Sequence, residues 1–131
     1  MNINWIFFFA GILCSPCVSA LSVAPLPEQL LRFSDTVGPT CTKVSSHFVD
    51  DPHYQPALKE HPVDIEKICA CSKKIILSDE RLIEQFSVEN EELSRRLRST
   101  ELGSYLLLKT TSSIFECFYL EVNKSLLLFK F

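Results

Sequence analysis

Cys69 and Cys71 stand two positions apart in a stretch whose apolar residues Ile65, Ile68, Ile75 and Ile76 fall on one helical stripe. Side chains at that separation on a helix point to nearly opposite flanks, so the pair does not bridge itself and each member must reach a different neighbour. Beyond residue 20 the other cysteines are Cys41 and Cys117. Four cysteines allow three pairings, and removing Cys69 with Cys71 leaves two that the sequence does not separate. In both, the N-terminal part of the chain and its last helix are stapled to one central helix. Cys41, Cys69, Cys71 and Cys117 are therefore the candidate disulfide residues.

Such bridges need an oxidising compartment, and the N-terminus supplies a route to one. Trp5 to Cys14 is a continuous apolar run, and Val18-Ser19-Ala20 offers the small-x-small pattern of a signal-peptidase site. Residues 1–20 are read as a cleaved signal peptide, which takes Cys14 and Cys17 with it, and the protein is expected to be secreted and extracellular. The apolar run is about half of the ~20 residues a helix needs to span a membrane, so no stable membrane anchor is expected. The apolar tail 125–131 follows Glu116, Glu121 and Lys124, and is likewise too short for a span or a lipid-anchor signal. It is expected to dock on the core as a last strand or turn.

The expected mature chain, 21–131, is long enough for one domain and too short for two with proper cores. No charged side chain precedes it, so it carries the whole formal charge of −3. That sign argues against nucleic acid and anionic membranes as partners, which call for clustered lysines and arginines. The basic knot Arg95-Arg96-Leu97-Arg98 follows Glu89, Glu91 and Glu92 and is read as half of a helix charge pattern, with Glu91–Arg95 and Glu92–Arg96 as i, i+4 pairs.

The periodicity predicts a mostly α fold, a small disulfide-stapled bundle of short helices. Residues 21–61 form a turn-rich N-terminal segment holding Pro25, Pro27, Gly38 and Pro39. Within it a short helix is expected at 27–33, and another capped by Thr40 that carries Cys41, Val44 and Phe48. Residues 62–131 form the helical core. Its strongest helices are 62–77, with Asp64 and Glu66 at the favoured N-terminal end, and a continuous one over 79–98, which gathers Leu82, Ile83, Phe86, Leu93 and Leu97 into one arc. Gly103 is read as a break, and Ser113 with Glu116 as a capping box opening a further helix over 114–122.

No nucleophile elbow, zinc-protease helix or glycine-rich phosphate loop occurs, and cysteines paired in bridges offer no free thiol. Neither an enzyme nor a cofactor is expected. His47, His53 and His61 precede the Cys69-Ala70-Cys71 unit, but the usual two-to-four-residue gap between paired zinc cysteines is missing, so no metal site is assigned. Asn123-Lys124-Ser125 is an N-glycosylation acceptor, making Asn123 a candidate modification site. The spacing does not match chemokines, whose cysteine pair opens the domain, or plant lipid-transfer proteins, which use eight cysteines with an adjacent pair. Short-chain helical cytokines are similar in size and bridge number, with no shared motif, and no family is assigned. By elimination the expected function is that of a non-enzymatic extracellular interaction protein with a protein partner. The alternative is a carrier of small apolar ligands or lipids, with Phe86, Phe115, Phe118 and Tyr119 as candidate pocket residues, set against their plainer reading as core.

Overall fold

The computed structural model describes residues 24–128, with side chains through residue 124. The expected signal peptide, 1–20, and the end of the tail lie outside the described residues. Among these residues the chain forms six helices and no strand: α1 (Glu28–Asp50), α2 (Gln55–Glu60), α3 (Ile65–Leu77), α4 (Glu80–Phe86), α5 (Asn90–Leu97) and α6 (Thr100–Leu128). The stapled helical bundle expected from the sequence is the fold, although two of its helices are long rather than short.

α3 is the central helix. Asp64 caps it by accepting from the Lys67 N–H at 3.2 Å, Glu66 sits in its first turn and Lys74 in its last, each on the side the macrodipole favours. α1 packs along one flank and α6 along the other. Cys69 is bonded to Cys41 on α1 and Cys71 to Cys117 on α6, which resolves the pairing. The Cα atoms of each bridge are 5.6 and 5.9 Å apart, so both outer helices lie close against the central one.

Three boundaries differ from the sequence reading. α1 is one helix that runs through Gly38 and Pro39, not two short helices joined by turns. Its buried positions, Leu30, Ser34, Val37, Cys41 and Ser45, recur at three- and four-residue steps straight across the proline. Packing of that stripe on α3 outweighs the proline's local cost of about 3 kcal/mol. Residues 79–98 form two helices, not one. α4 ends at Ser87, whose N–H bonds the Glu84 carbonyl, and Glu89 is extended ahead of α5. Leu82, Phe86 and Leu93 enter the core from either side of the break, whereas Leu97, expected in the same arc, is exposed. α6 passes through both Gly103 and Ser113, and residues 125–128 continue it, so the described part of the tail is helical. Ser113 is buried rather than capping a helix start.

The interior has two parts. The larger is wholly aliphatic and aromatic: Leu30, Val37, Ile76, Leu82, Phe86, Leu93 and Leu102, with Phe33 stacked at 6.0 Å on Phe86. The smaller is built around the bridges, from Cys41, Ile68, Ile114 and Cys117. Serines complete the helix contacts. Ser72 of α3 meets Ser113 of α6 at 2.6 Å, and because the Ser113 hydroxyl donates to the Thr110 carbonyl, Ser72 is the donor to Ser113. Ser34 donates to the Leu31 carbonyl. Among the described residues no buried side-chain N or O lacks a partner.

Candidate interaction surface

α6 is held to the rest of the molecule at three levels along its length. Near its start, Tyr105 donates to Asp79 Oδ2 at 2.8 Å and the Lys109 ammonium pairs with the same oxygen at 3.0 Å. Asp79 Oδ1 meanwhile accepts from the Leu82 N–H at 2.8 Å, capping α4. The Asp79 side chain is only 7% exposed. Burial alone would raise its carboxyl, but the Leu82 N–H, Lys109 and Tyr105 together outweigh burial and hold it below the usual carboxylate range. Burial and the Asp79 carboxylate push the Tyr105 phenol up, and the hydrogen bond to Asp79 raises Lys109. Arg81 covers the Tyr105 ring 4.4 Å from its centroid and reaches Glu101 at 3.0 Å. Midway along α6 is the Ser72–Ser113 contact, and beyond it the Cys71–Cys117 bridge. These ties fix the helix about its own axis, so its outward side is a rigid surface.

That outward side is apolar. Leu108, Phe115 and Tyr119 are 68, 47 and 67% exposed. At about 100° per residue they fall on one stripe, opposite the buried Leu102, Ser113 and Cys117. Ser104, Thr111, Ser112 and Val122 complete the same arc. The charged residues between Ser104 and Asn123 are Lys109, Glu116 and Glu121, and all three fall outside it. Two of the hydroxyls in the arc are already used: Thr111 donates to the Leu107 carbonyl at 2.8 Å and Ser112 to that of Lys109 at 3.1 Å. A partner covering them therefore leaves no polar group orphaned at those positions. Phe115 also meets the Phe48 ring edge-on at 5.3 Å, and Phe48 stacks on Phe118 and Tyr54, so the stripe continues into an aromatic cluster at the end of α1.

The sequence reading missed this face. Leu108, Phe115 and Val122 recur every seven residues, while the buried series Leu102, Ser113, Ile114 and Cys117 runs along the other side of the same helix. Two opposed series in one helix cancel as an amphipathic signal, which is why the segment read as a break at Gly103 followed by a short helix over 114–122.

Other sequence candidates fall elsewhere. Phe86 belongs to the larger core, Phe118 is half-buried against the bridges, and Phe115 and Tyr119 face outward, so the four aromatics do not converge on one cavity. The shallow groove between α1 and α6, lined by Phe33, Val37, Leu106 and Leu107, holds about 180 Å³. That is below the ~300 Å³ at which small-molecule sites begin. His53 folds onto Asp51 at 3.1 Å, His47 lies in the last turn of α1, and His61 ends α2. Among the described residues no group of three or more His, Cys, Asp or Glu side chains converges. Asn123 is half-buried on α6.

Arg95 turns to Glu92 in a forked pair at 2.6 and 2.8 Å, not to Glu91 as the i, i+4 reading had it, while Arg96 joins the same carboxylate at 2.9 Å as expected. The two arginines hold Glu92 down to about 2. The open cleft that Arg81, Arg95 and Arg96 line, about 240 Å³, thus has its cations already engaged by Glu101, Glu92 and Gln85. No helix among the described residues is long and apolar enough to cross a membrane. No protein-family model, curated protein sequence or solved structure matches this chain.

Proposed function

We propose that this chain is a secreted, non-enzymatic protein that acts by binding another protein through the outward face of α6. The observation that carries the reading is the uncharged stripe of Leu108, Phe115 and Tyr119 on a helix tied down by a bridge, a buried serine pair and the half-buried Asp79–Lys109 ion pair. Large apolar side chains exposed together on an uncharged helix face suit an interaction site, and a pre-ordered helix loses little entropy on docking. The two bridges support the oxidising compartment that the N-terminal sequence implies.

Photo-crosslinking from the face itself tests this. A benzophenone side chain placed at Leu108 or Tyr119 should give protein adducts in the medium where the chain is secreted. One at Lys43, exposed on α1, should not. Equal labelling from all three positions, or none from α6, removes the reading. Intact mass tests the compartment: the mature protein should begin at Leu21 and take up alkylating agent only after reduction.

A further inference from the structure

The α6 face is unusual in being complementary to itself. We infer that the partner it fits is a second copy of this chain, paired antiparallel along α6 about a two-fold axis beside Thr111 and Ser112; this rests on the reading of that face as the interaction surface. In this register Leu108 of one copy lies opposite Phe115 of the other, and Ser104 opposite Tyr119. Thr111 lies opposite Ser112 at the centre. Large side chains are thereby set against small ones at the ends, and two small hydroxylated residues meet where the helices come closest. The chain carries a net charge of −3, so two copies repel weakly at long range. Glu101, seven residues before Leu108 and so on the same stripe, faces Val122 of the other copy at each end and is already paired with Arg81, and no like charges meet in direct opposition.

The area of the face sets the strength of this pairing. Residues 104–123 span about 30 Å of helix. The exposed side chains along the arc present on the order of 500 Å² per copy, below the ~800 Å² per partner of a standard interface. The hydroxyls of Thr111 and Ser112 are bonded within their own helix, so drying the centre strands neither. A reversible dimer with a dissociation constant of about 1–100 μM is the expected result, in the range of small and transient interfaces.

The experiment is sedimentation velocity on the disulfide-intact protein from about 1 μM to 500 μM, a range set by that expected constant. Wild type should pass from monomer to dimer, and Leu108→Glu should weaken pairing more than tenfold. Phe115→Lys should do the same. Mixing the two variants should restore the dimer, because position 108 of one copy faces position 115 of the other. Thermal melts of each variant separate loss of pairing from loss of fold; both positions are exposed, and Tyr119→Glu serves as a third probe should either variant melt early. A wild-type chain that stays monomeric throughout overturns the inference, whether the face then takes a different protein or an apolar small molecule. In that case α6-confined crosslinks to a different protein would leave the interaction reading standing. A dimer indifferent to Leu108→Glu, Phe115→Lys and Tyr119→Glu would place self-association elsewhere and overturn the inference, while the role of the face would still be decided by the crosslinking.

Discussion

Asp79 serves three donors with two oxygens: the Leu82 N–H on one, Tyr105 and Lys109 on the other. It is at once the cap of α4 and the anchor of α6, and this double use makes it the polar residue whose loss should cost most. Asp79→Ala removes the cap, worth about 1 kcal/mol, and the part-buried hydrogen bond from Tyr105, worth about another 1 kcal/mol. A fall in melting temperature of about 10 °C is expected for a domain of this size. Asp79→Asn keeps an oxygen for the Leu82 N–H and separates cap from charge. Because the folded protein holds the Asp79 carboxyl below its ordinary value, its stabilising effect is complete above the unfolded value of about 3.9. The effect is lost as pH falls through the lowered folded value. Wild type should therefore exceed Asp79→Asn in melting temperature at pH 7, and the gap should close as pH is lowered toward 2. A gap that stays constant across that titration would show that the carboxylate charge contributes nothing.

Among the elements, α3 was fully legible, because an acidic cap, an isoleucine stripe and terminal lysines all agree, and because Cys69 and Cys71 announce a neighbour on each flank. α1 and α6 were not. Their buried stripes are written partly in serine, at Ser34, Ser45 and Ser113, which a reading of apolar periodicity passes over. Gly38, Pro39 and Gly103 signalled turns that close packing on α3 overrides. The Ser87–Glu89 break was hidden for the opposite reason, since the apolar arc of 79–98 stays in phase through it. The interaction face left a trace only in the seven-residue spacing of Leu108, Phe115 and Val122. Glycine inside a helix carries a measurable cost, and at Gly38 and Gly103 an added Cβ meets nothing within 4 Å. Gly38→Ala and Gly103→Ala should each stabilise the protein by up to about 1 kcal/mol. A calorimetric melt should rise by several degrees for each, and additively, because the two sites lie on different helices. Unchanged or lowered midpoints would mean that the helix is locally distorted at those positions.

For the whole molecule, the two bridges converge on neighbouring residues of α3 and close loops of sequence separation 28 and 46. In the chain-entropy treatment each contributes about 4 kcal/mol, against a total of 5–15 kcal/mol typical of folded domains. Removing both should leave a chain near its unfolding limit at 37 °C, while removing either alone should not. The single-bridge variants should also differ in kind. Without Cys41–Cys69, α1 still contributes Leu30 and Val37 to the larger core, which contains no cysteine. Without Cys71–Cys117, the second half of α6 keeps Ile114, the contacts of Phe115 and Phe118 with Phe48, and the Ser72–Ser113 contact to hold it. Hydrogen exchange on Cys71→Ala/Cys117→Ala should show protection falling over residues 111–124 while Ile76, Leu82 and Leu93 remain protected; a uniform fall along the chain would mean that the two cores unfold as one unit. The same variant bears on association. Leu108 sits beside the Asp79–Lys109 tie, whereas Phe115 and Tyr119 flank Cys117, so opening the bridge frees one half of the paired surface and leaves the other fixed. Antiparallel pairing needs both halves of each copy at once. Self-association should therefore be lost in Cys71→Ala/Cys117→Ala under conditions where its larger core is still folded, and should survive in Cys41→Ala/Cys69→Ala.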